Sequence, residues 1–365
     1  MHELSTERRA VVVHHLMENA SVRGTSRLTG VNKNTILSLI IKLGDGCTWL
    51  HNRIVRALRI RRIECDELHG YVHTREHHLR GNEPAEYGEQ WLYLAIASTS
   101  KLLISYRVGK RCEADTDAFI RDVRGRLAVI PELNTDGLAT YEPSVRRWFS
   151  PMGPGGPGSA VDYSQLVKSF PGKKSKGKDA DKYAPKREGP PNISKRAVFG
   201  TPDMDATSTS FIERINGTVR NSLRRFVRRT AGFSKSMRHH TAMVAIFAAF
   251  YNFCRIHETI RVTPAMEAGL TSHVWSVEEL VEVALGGTPC EPPTPQPLEP
   301  RPEPSRGAER KTSTGAVLRA VDGGKARPKR RELRPGDQAT IWTVLREAQR
   351  QEEEKGKPPP DTPGG

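Results

Sequence analysis

Two strand-like runs, Trp91–Ala97 and Leu102–Val108, are separated only by Ser98–Lys101, and this spacing restricts the chain more than any other feature. A connection that short joins antiparallel neighbours, because a parallel pair needs a crossover of a dozen or more residues. An earlier run, Ile63–Leu68, has the same strand character. After the hairpin, residues 116–127 carry Phe119, Ile120, Val123 and Leu127 at helical spacing, and Leu127–Ile130 begins a short strand that approaches Asn134–Gly137. A helix placed between strands is the means by which a chain returns in parallel, so the sheet is predicted to be mixed. A fifth strand is expected at Arg196–Phe199, and a long helix from about Ser208.

Three strands, a helix, another strand and a further helix are the order of a ribonuclease H-like domain. The predicted fold class is therefore α/β, a mixed sheet flanked by helices over residues 60–286. Residues 151–196 are rich in Gly, Pro and Lys and are expected to form an inserted loop, since such a stretch buries too little apolar surface to offset its ordering entropy. From Thr288 proline dominates, and residues 288–365 are expected to be a disordered tail.

Residues 5–46 fit an all-α helix-turn-helix domain ahead of the sheet. Thr6–Glu18 carries Val12, Val13, Leu16 and Met17, and a short helix covers about Val22–Leu28. Gly30 supplies the positive φ of the corner, and Asn32 caps a third helix whose buried face is Ile36, Leu39, Ile40 and Leu43. That leaves Lys33, Asn34, Thr35 and Ser38 pointing outward at its start, with Arg23 on the helix before it. The N-terminal end of such a helix is what enters a major groove, and these residue types bond phosphates and base edges.

Charge agrees with that reading. Lys and Arg number 57 against 42 Asp and Glu, a formal net charge of +15, which attracts polyanions and duplex DNA above all. The longest apolar stretch, Met243–Phe253, is too short for a bilayer span, so no membrane partner is expected. Five scattered cysteines without a C-x-x-C pair argue against a disulfide framework or structural zinc, and a cytoplasmic location, nucleoid-associated when DNA is bound, is expected.

Three carboxylates fall where the predicted fold brings them together: Asp66 on the first strand, Asp136 at the end of the fourth, and Glu213 on the last helix. Phosphoryl transfer by two Mg²⁺ ions about 4 Å apart needs such a set, and Mn²⁺ is a natural substitute. Each acid by itself reads as an ordinary turn or surface charge, and their order along matching elements gives them weight. Glu67 and Asp115 are expected to be dispensable neighbours. Along the last helix Ile212, Ile215 and Val219 make the buried stripe, while Asn216 and Arg220 follow Glu213 at three- and four-residue steps. Arg224, Arg225, Arg228 and Arg229 come next, and together with Asn216 and Arg220 they are assigned to nucleic acid.

Cys65-Asp-Glu-Leu-His-Gly-Tyr-Val72, Trp91-Leu-Tyr-Leu-Ala-Ile96, Thr135-Asp-Gly137 and Ser208-Thr-Ser-Phe-Ile-Glu-Arg-Ile-Asn216 resemble the insertion-sequence-one family of DDE transposases. Arg224–Thr230, Phe233–Ser236, Tyr251–His257 and Thr263–Gly269 extend the resemblance across roughly residues 60–285. It implies Asp66, Asp136 and Glu213 as metal-binding catalytic acids, cleavage and joining of element ends to target DNA, and at least a dimer on that DNA. Two features depart from the family: no cysteine cluster opens the chain, and Asp136 lies far from Glu213. The competing expectations are a helix-turn-helix regulator with an inactive catalytic domain, or another ribonuclease H-like nuclease.

Overall fold

The computed structural model describes residues 4–150, 161–169, 192–227, 230–287 and 290–300. Three helices open the chain: α1 (Thr6–Met17), α2 (Val22–Thr29) and α3 (Lys33–Ile54). Side-chain caps set their starts. Ser21 Oγ accepts from Gly24 N at 3.0 Å and Asn32 Oδ1 from Asn34 N at 2.8 Å. Gly30 ends α2 at φ 68°, the left-handed value the corner requires.

The third helix does not stop near Leu43 as the sequence suggests. It runs on to Ile54 and passes straight through residue 46, the expected boundary. The continuation buries Leu43, Cys47 and Leu50 against α7 (Met237–Ala249) and α9 (Val277–Leu285), in one continuous core with the sheet. At the point of contact the helix carries Gly44 and Gly46, facing the backbones of Ala242 and Ala284.

The remaining elements are β1 (Arg62–Val72), β2 (Gly88–Ala97), β3 (Leu103–Gly109), α4 (Glu113–Gly125), β4 (Glu132–Thr135), α5 (Tyr141–Trp148), β5 (Asp162–Ser169), β6 (Asn192–Phe199), α6 (Ser210–Ser222) and the short α8 (Pro264–Glu267). The strands form one sheet in the order β3-β2-β1-β4-β5-β6. β1, β2 and β3 are antiparallel, β4 and β5 join β1 in parallel, and β6 returns antiparallel on β5. This is the ribonuclease H-like arrangement, a mixed sheet flanked by helices, with one strand added at its edge. α6 covers one face: Glu64 and Asp66 of β1 reach it. The other face, where Glu67 and Tyr93 are register partners, carries α4, whose Phe119 ring packs on Tyr93.

Three expectations are corrected here. Residues 151–196 are not one loop, because β5 and most of β6 lie inside them. The strand expected at Arg196–Phe199 is the end of β6, in sixth place, and β5 supplies the fifth. Only 151–160 and 170–191 of that stretch lie outside the described residues. Residues 290–300, expected to belong to a disordered tail, are not free chain either. Glu299 exchanges backbone bonds with Ala128 and Ile130 at 2.9 Å each and pairs with Arg59 at 2.7 Å, while Asn52 donates to the Cys290 carbonyl. Residues 301–365 lie outside the described ones.

Beyond α7 the chain makes one π-helical turn, Phe250–Cys254, that aims the buried Asn252 at the sheet edge. Its Oδ1 accepts from Leu103 N and its Nδ2 donates to Leu103 O, both at 2.9 Å, so the side chain pairs with β3 as a strand would. No helix among the described residues is long and apolar enough to cross a membrane.

Candidate active site

β1 and α6 are tied together by two contacts two residues apart, on one face of the strand. Glu64 is buried, and its Oε2 accepts from Phe211 N at 2.9 Å and Ile212 N at 3.0 Å, capping the start of α6. Asp66 Oδ2 accepts from Asn216 Nδ2 at 2.8 Å. These contacts set the register of α6 and place Glu213, in its first turn, beside the strand. Asp136 follows β4 directly, its Oδ1 accepting from Leu138 N at 3.0 Å in a side-chain turn. Glu213 accepts from Thr209 Oγ1 at 2.8 Å and forms an ion pair with Lys168 of β5.

Asp66, Asp136 and Glu213 line one cavity of about 570 Å³, together with Arg111, Lys168 and Thr209. The tightest group of acids differs from the predicted trio, since it draws in Glu67 from behind the cavity wall. Asp66, Glu67 and Asp136 each place a carboxylate oxygen within 4.8 Å of the others, a group that does not include Glu213. Successive strand side chains point to opposite faces, so Asp66 and Glu67 diverge. Asp136, just past the end of β4, reaches both. The donors are hard carboxylate oxygens with no thiolate or imidazole among them, which suits Mg²⁺ or Mn²⁺.

Electrostatics agree with a cluster of buried, mutually repelling acids. Burial, then repulsion from Asp136, pushes Asp66 up to about 7. Burial and the same neighbour push Glu67 up to about 8, and burial raises Asp136. Acids raised in the folded state stabilise it most below their unfolded values near pH 4, and that contribution is lost as pH rises through 7 to 8. Buried His51 and His240 pull the other way, since burial holds His240 down to about 3 and His51 well below its usual value. A comparison with Asp66→Asn cancels the histidines. In metal-free buffer this variant should melt above the unmodified protein at pH 8, with the gap closing by pH 5, and millimolar Mn²⁺ should remove the gap at pH 8. A gap that does not change with pH would show that Asp66 is not held in a repulsive site.

The other predicted residues divide. Arg23, Lys33, Asn34, Thr35 and Ser38 are all exposed, the last four on the first turns of α3. Arg224 is exposed and Arg220 half-buried. Asn216, assigned to nucleic acid from the sequence, is buried and donates to Asp66 beside the acidic group. Arg225 Nη1 donates to His239 O at 2.7 Å and Ser234 Oγ at 3.1 Å, joining the segment after α6 to α7. Arg228 and Arg229 lie outside the described residues. The two acids expected to be dispensable both have defined places in the fold. Glu67 belongs to the tight group, and Asp115 accepts from Arg107 and from Lys110 N, holding the β3–α4 turn. Sequence reasoning missed Glu64, Glu67, Arg111 and Lys168. Only Glu64 left a signal, its two-residue spacing from Asp66 on a strand.

No protein-family model and no curated protein matches the chain. Among solved structures it is similar to a piggyBac transposase in a synaptic complex with hairpin DNA, at 10% identity over 77% of this chain and 69% of that one, with a TM-score of 0.34. A superposition that loose carries no argument about individual residues.

Proposed function

We propose that the chain is a transposase-type enzyme that cleaves and joins DNA strands with the help of divalent cations. One observation supports this above all: acids from β1, from the end of β4 and from α6 line a single cavity that basic residues also enter. Asp66 and Asp136, with Glu67 or Glu213 completing the set, are the residues that would hold Mg²⁺ or Mn²⁺. Bound there, the cations would activate an attacking water or 3′-hydroxyl and neutralise charge on the leaving oxygen. The protein's own part is placement. Asn216 orients Asp66, Glu64 anchors the turn that carries Glu213, and Lys168 holds the Glu213 carboxylate toward β5. We read the chain as a member of the insertion-sequence-one family, acting as an oligomer on the ends of its own element.

The exposed start of α3 is the proposed duplex reader. In the full chain, Arg23→Ala and Lys33→Ala should weaken binding to every duplex and lower the slope of log K against log salt by about 0.9 for each phosphate that is no longer neutralised. Asn34→Ala should instead relax sequence preference. Equal weakening by all three changes, with an unaltered salt slope, would remove α3 from the interface.

The reading itself is tested with labelled duplexes that cover the DNA flanking the gene. Strand cleavage, and joining to a second duplex, should appear with Mg²⁺ or Mn²⁺ and not with EDTA. Ca²⁺ should permit binding with little chemistry, because its larger, looser coordination misplaces the reacting oxygens. Binding of the flanking DNA with no cleavage under any cation would leave a DNA-binding regulator.

A further inference from the structure

Arg111 lines the cavity from the turn between β3 and α4, has no part in the proposed function, and is held firmly for an arginine in a turn. Its guanidinium lies over the Trp91 ring at 4.7 Å, and its Nη2 donates to Glu67 Oε2 at 3.3 Å. Glu67 is almost wholly buried, its side chain 1% exposed, so this ion pair is anchored in the core and is not a loose surface contact. The same Nη2 stands 3.6 Å from Asp136 Oδ2. Asp115 fixes the turn that presents Arg111 by accepting from Lys110 N at 2.7 Å.

Trp91 sets the plane of the guanidinium, and Glu67 sets its rotation within that plane. Among the described residues its polar contacts run through Nη2 alone, although guanidinium carries five donors in a rigid fork. The side chain is 38% exposed and lines the cavity, so the rest of the fork meets open space. An oriented, partly solvated fork beside a cluster of carboxylates has two natural partners. One is the acid it already faces, and the other is a phosphate group brought in against that acid.

We propose that Arg111 exchanges between these partners: without DNA it serves as the counter-charge of Asp136, in competition with a divalent cation, and with DNA it binds a phosphate oxygen of the strand in the cavity. This rests on the reading of the cavity as a cation-dependent DNA site. It makes Arg111 a substrate-binding residue and gives Trp91 and Glu67 the task of aiming it.

The experiment compares full-length protein with Arg111→Gln and Arg111→Lys in two measurements. The first is a Mn²⁺ titration without DNA, followed by the paramagnetic signal of free Mn²⁺, with a melting curve to establish that each variant is folded. Arg111→Gln removes the competing charge and should half-saturate at a several-fold lower Mn²⁺ concentration, while Arg111→Lys keeps the charge and should stay near the unmodified protein. The second is single-turnover cleavage at saturating Mg²⁺, with gel-shift binding in parallel. Arg111→Gln should slow cleavage about 10²-fold, the usual cost of removing one donor to an oxygen on which charge develops, while duplex binding, spread over many phosphates, weakens only slightly. Arg111→Lys, which lacks the planar fork, should fall between. Arg111→Gln that matches the unmodified protein in both measurements, or that shows one effect without the other, overturns the exchange while leaving the site reading intact. Unmodified protein that neither binds Mn²⁺ nor cleaves overturns both.

Discussion

Asp136→Asn protein is expected to fold, to bind duplex DNA and to cleave it at least about 10³-fold more slowly, because divalent cations supply several kcal/mol of transition-state stabilisation and each 1.36 kcal/mol is tenfold in rate. The substitution keeps volume and keeps an oxygen to accept from Leu138 N, so the turn after β4 survives. Asp66→Asn should behave alike, since the new amide can present its oxygen to Asn216 Nδ2. Glu213→Gln is the more discriminating change. Glu213 lines the cavity but stands outside the tight group of Asp66, Glu67 and Asp136. A drop in rate as deep as that of Asp136→Asn would make Glu213 the third ligand, and a drop of tenfold or less, with Glu67→Gln falling further, would give that place to Glu67. The exposed Glu258 lies outside the cavity and provides the control, Glu258→Gln. The measurement is cleavage of a labelled flanking duplex at saturating Mg²⁺, beside a gel shift on each variant. Near-normal cleavage by Asp136→Asn would end the metal-site reading altogether.

Gly46→Leu is expected to cost at least about 3 kcal/mol of stability, the upper end of ordinary overpacking penalties. A Cβ added at Gly46 falls inside contact distance of the Ala284 carbonyl oxygen, and one at Gly44 would stand 2.5 Å from the Ala242 Cβ. Neither neighbour is the end of a flexible side chain, so α3 must move off α7 or α9. Glycine in a helix interior costs roughly 1 kcal/mol relative to alanine, and two of them in α3 are explained by this close approach. Lys42→Ala, on the exposed side of the same helix, should change little. Denaturant midpoints measure both. Calorimetry should show the helical N-terminus and the sheet unfolding together, since α3 is part of the common core and Asn19 N donates to Ser222 O at the end of α6. Two separated transitions, or a Gly46→Leu protein of unchanged midpoint, would instead make the helices an independent module.

The alternation of apolar and polar residues carried much of the architecture. β1, β2, β3, α4 and α6 stand close to where periodicity places them, because each buries one face and the pattern records which. The capped starts of the N-terminal helices were equally legible, since caps act within three residues. β5 was not. Its strand character is lodged in the pairing of Glu132–Thr135 with Asp162–Gln165, a long-range contact, and its neighbours in sequence are rich in Gly, Pro and Lys. Context overrides local propensity there.

For the site, the sequence by itself determined which elements bear the acids: Asp66 on a strand, Asp136 after the next parallel one, Glu213 on the helix that packs back across them. Local pattern suffices for that, because a carboxylate's element follows from its neighbours. Only the tertiary structure decided which acids share space and what surrounds them. It brought Glu67 to Asp136 around the end of β4, set Arg111 between those two, turned Asn216 inward onto Asp66 and committed Arg225 to α7. The reason is physical. Distances across a sheet end or between packed helices depend on register and crossing, which are fixed by burial summed over the whole core and leave no mark on the few residues that meet there.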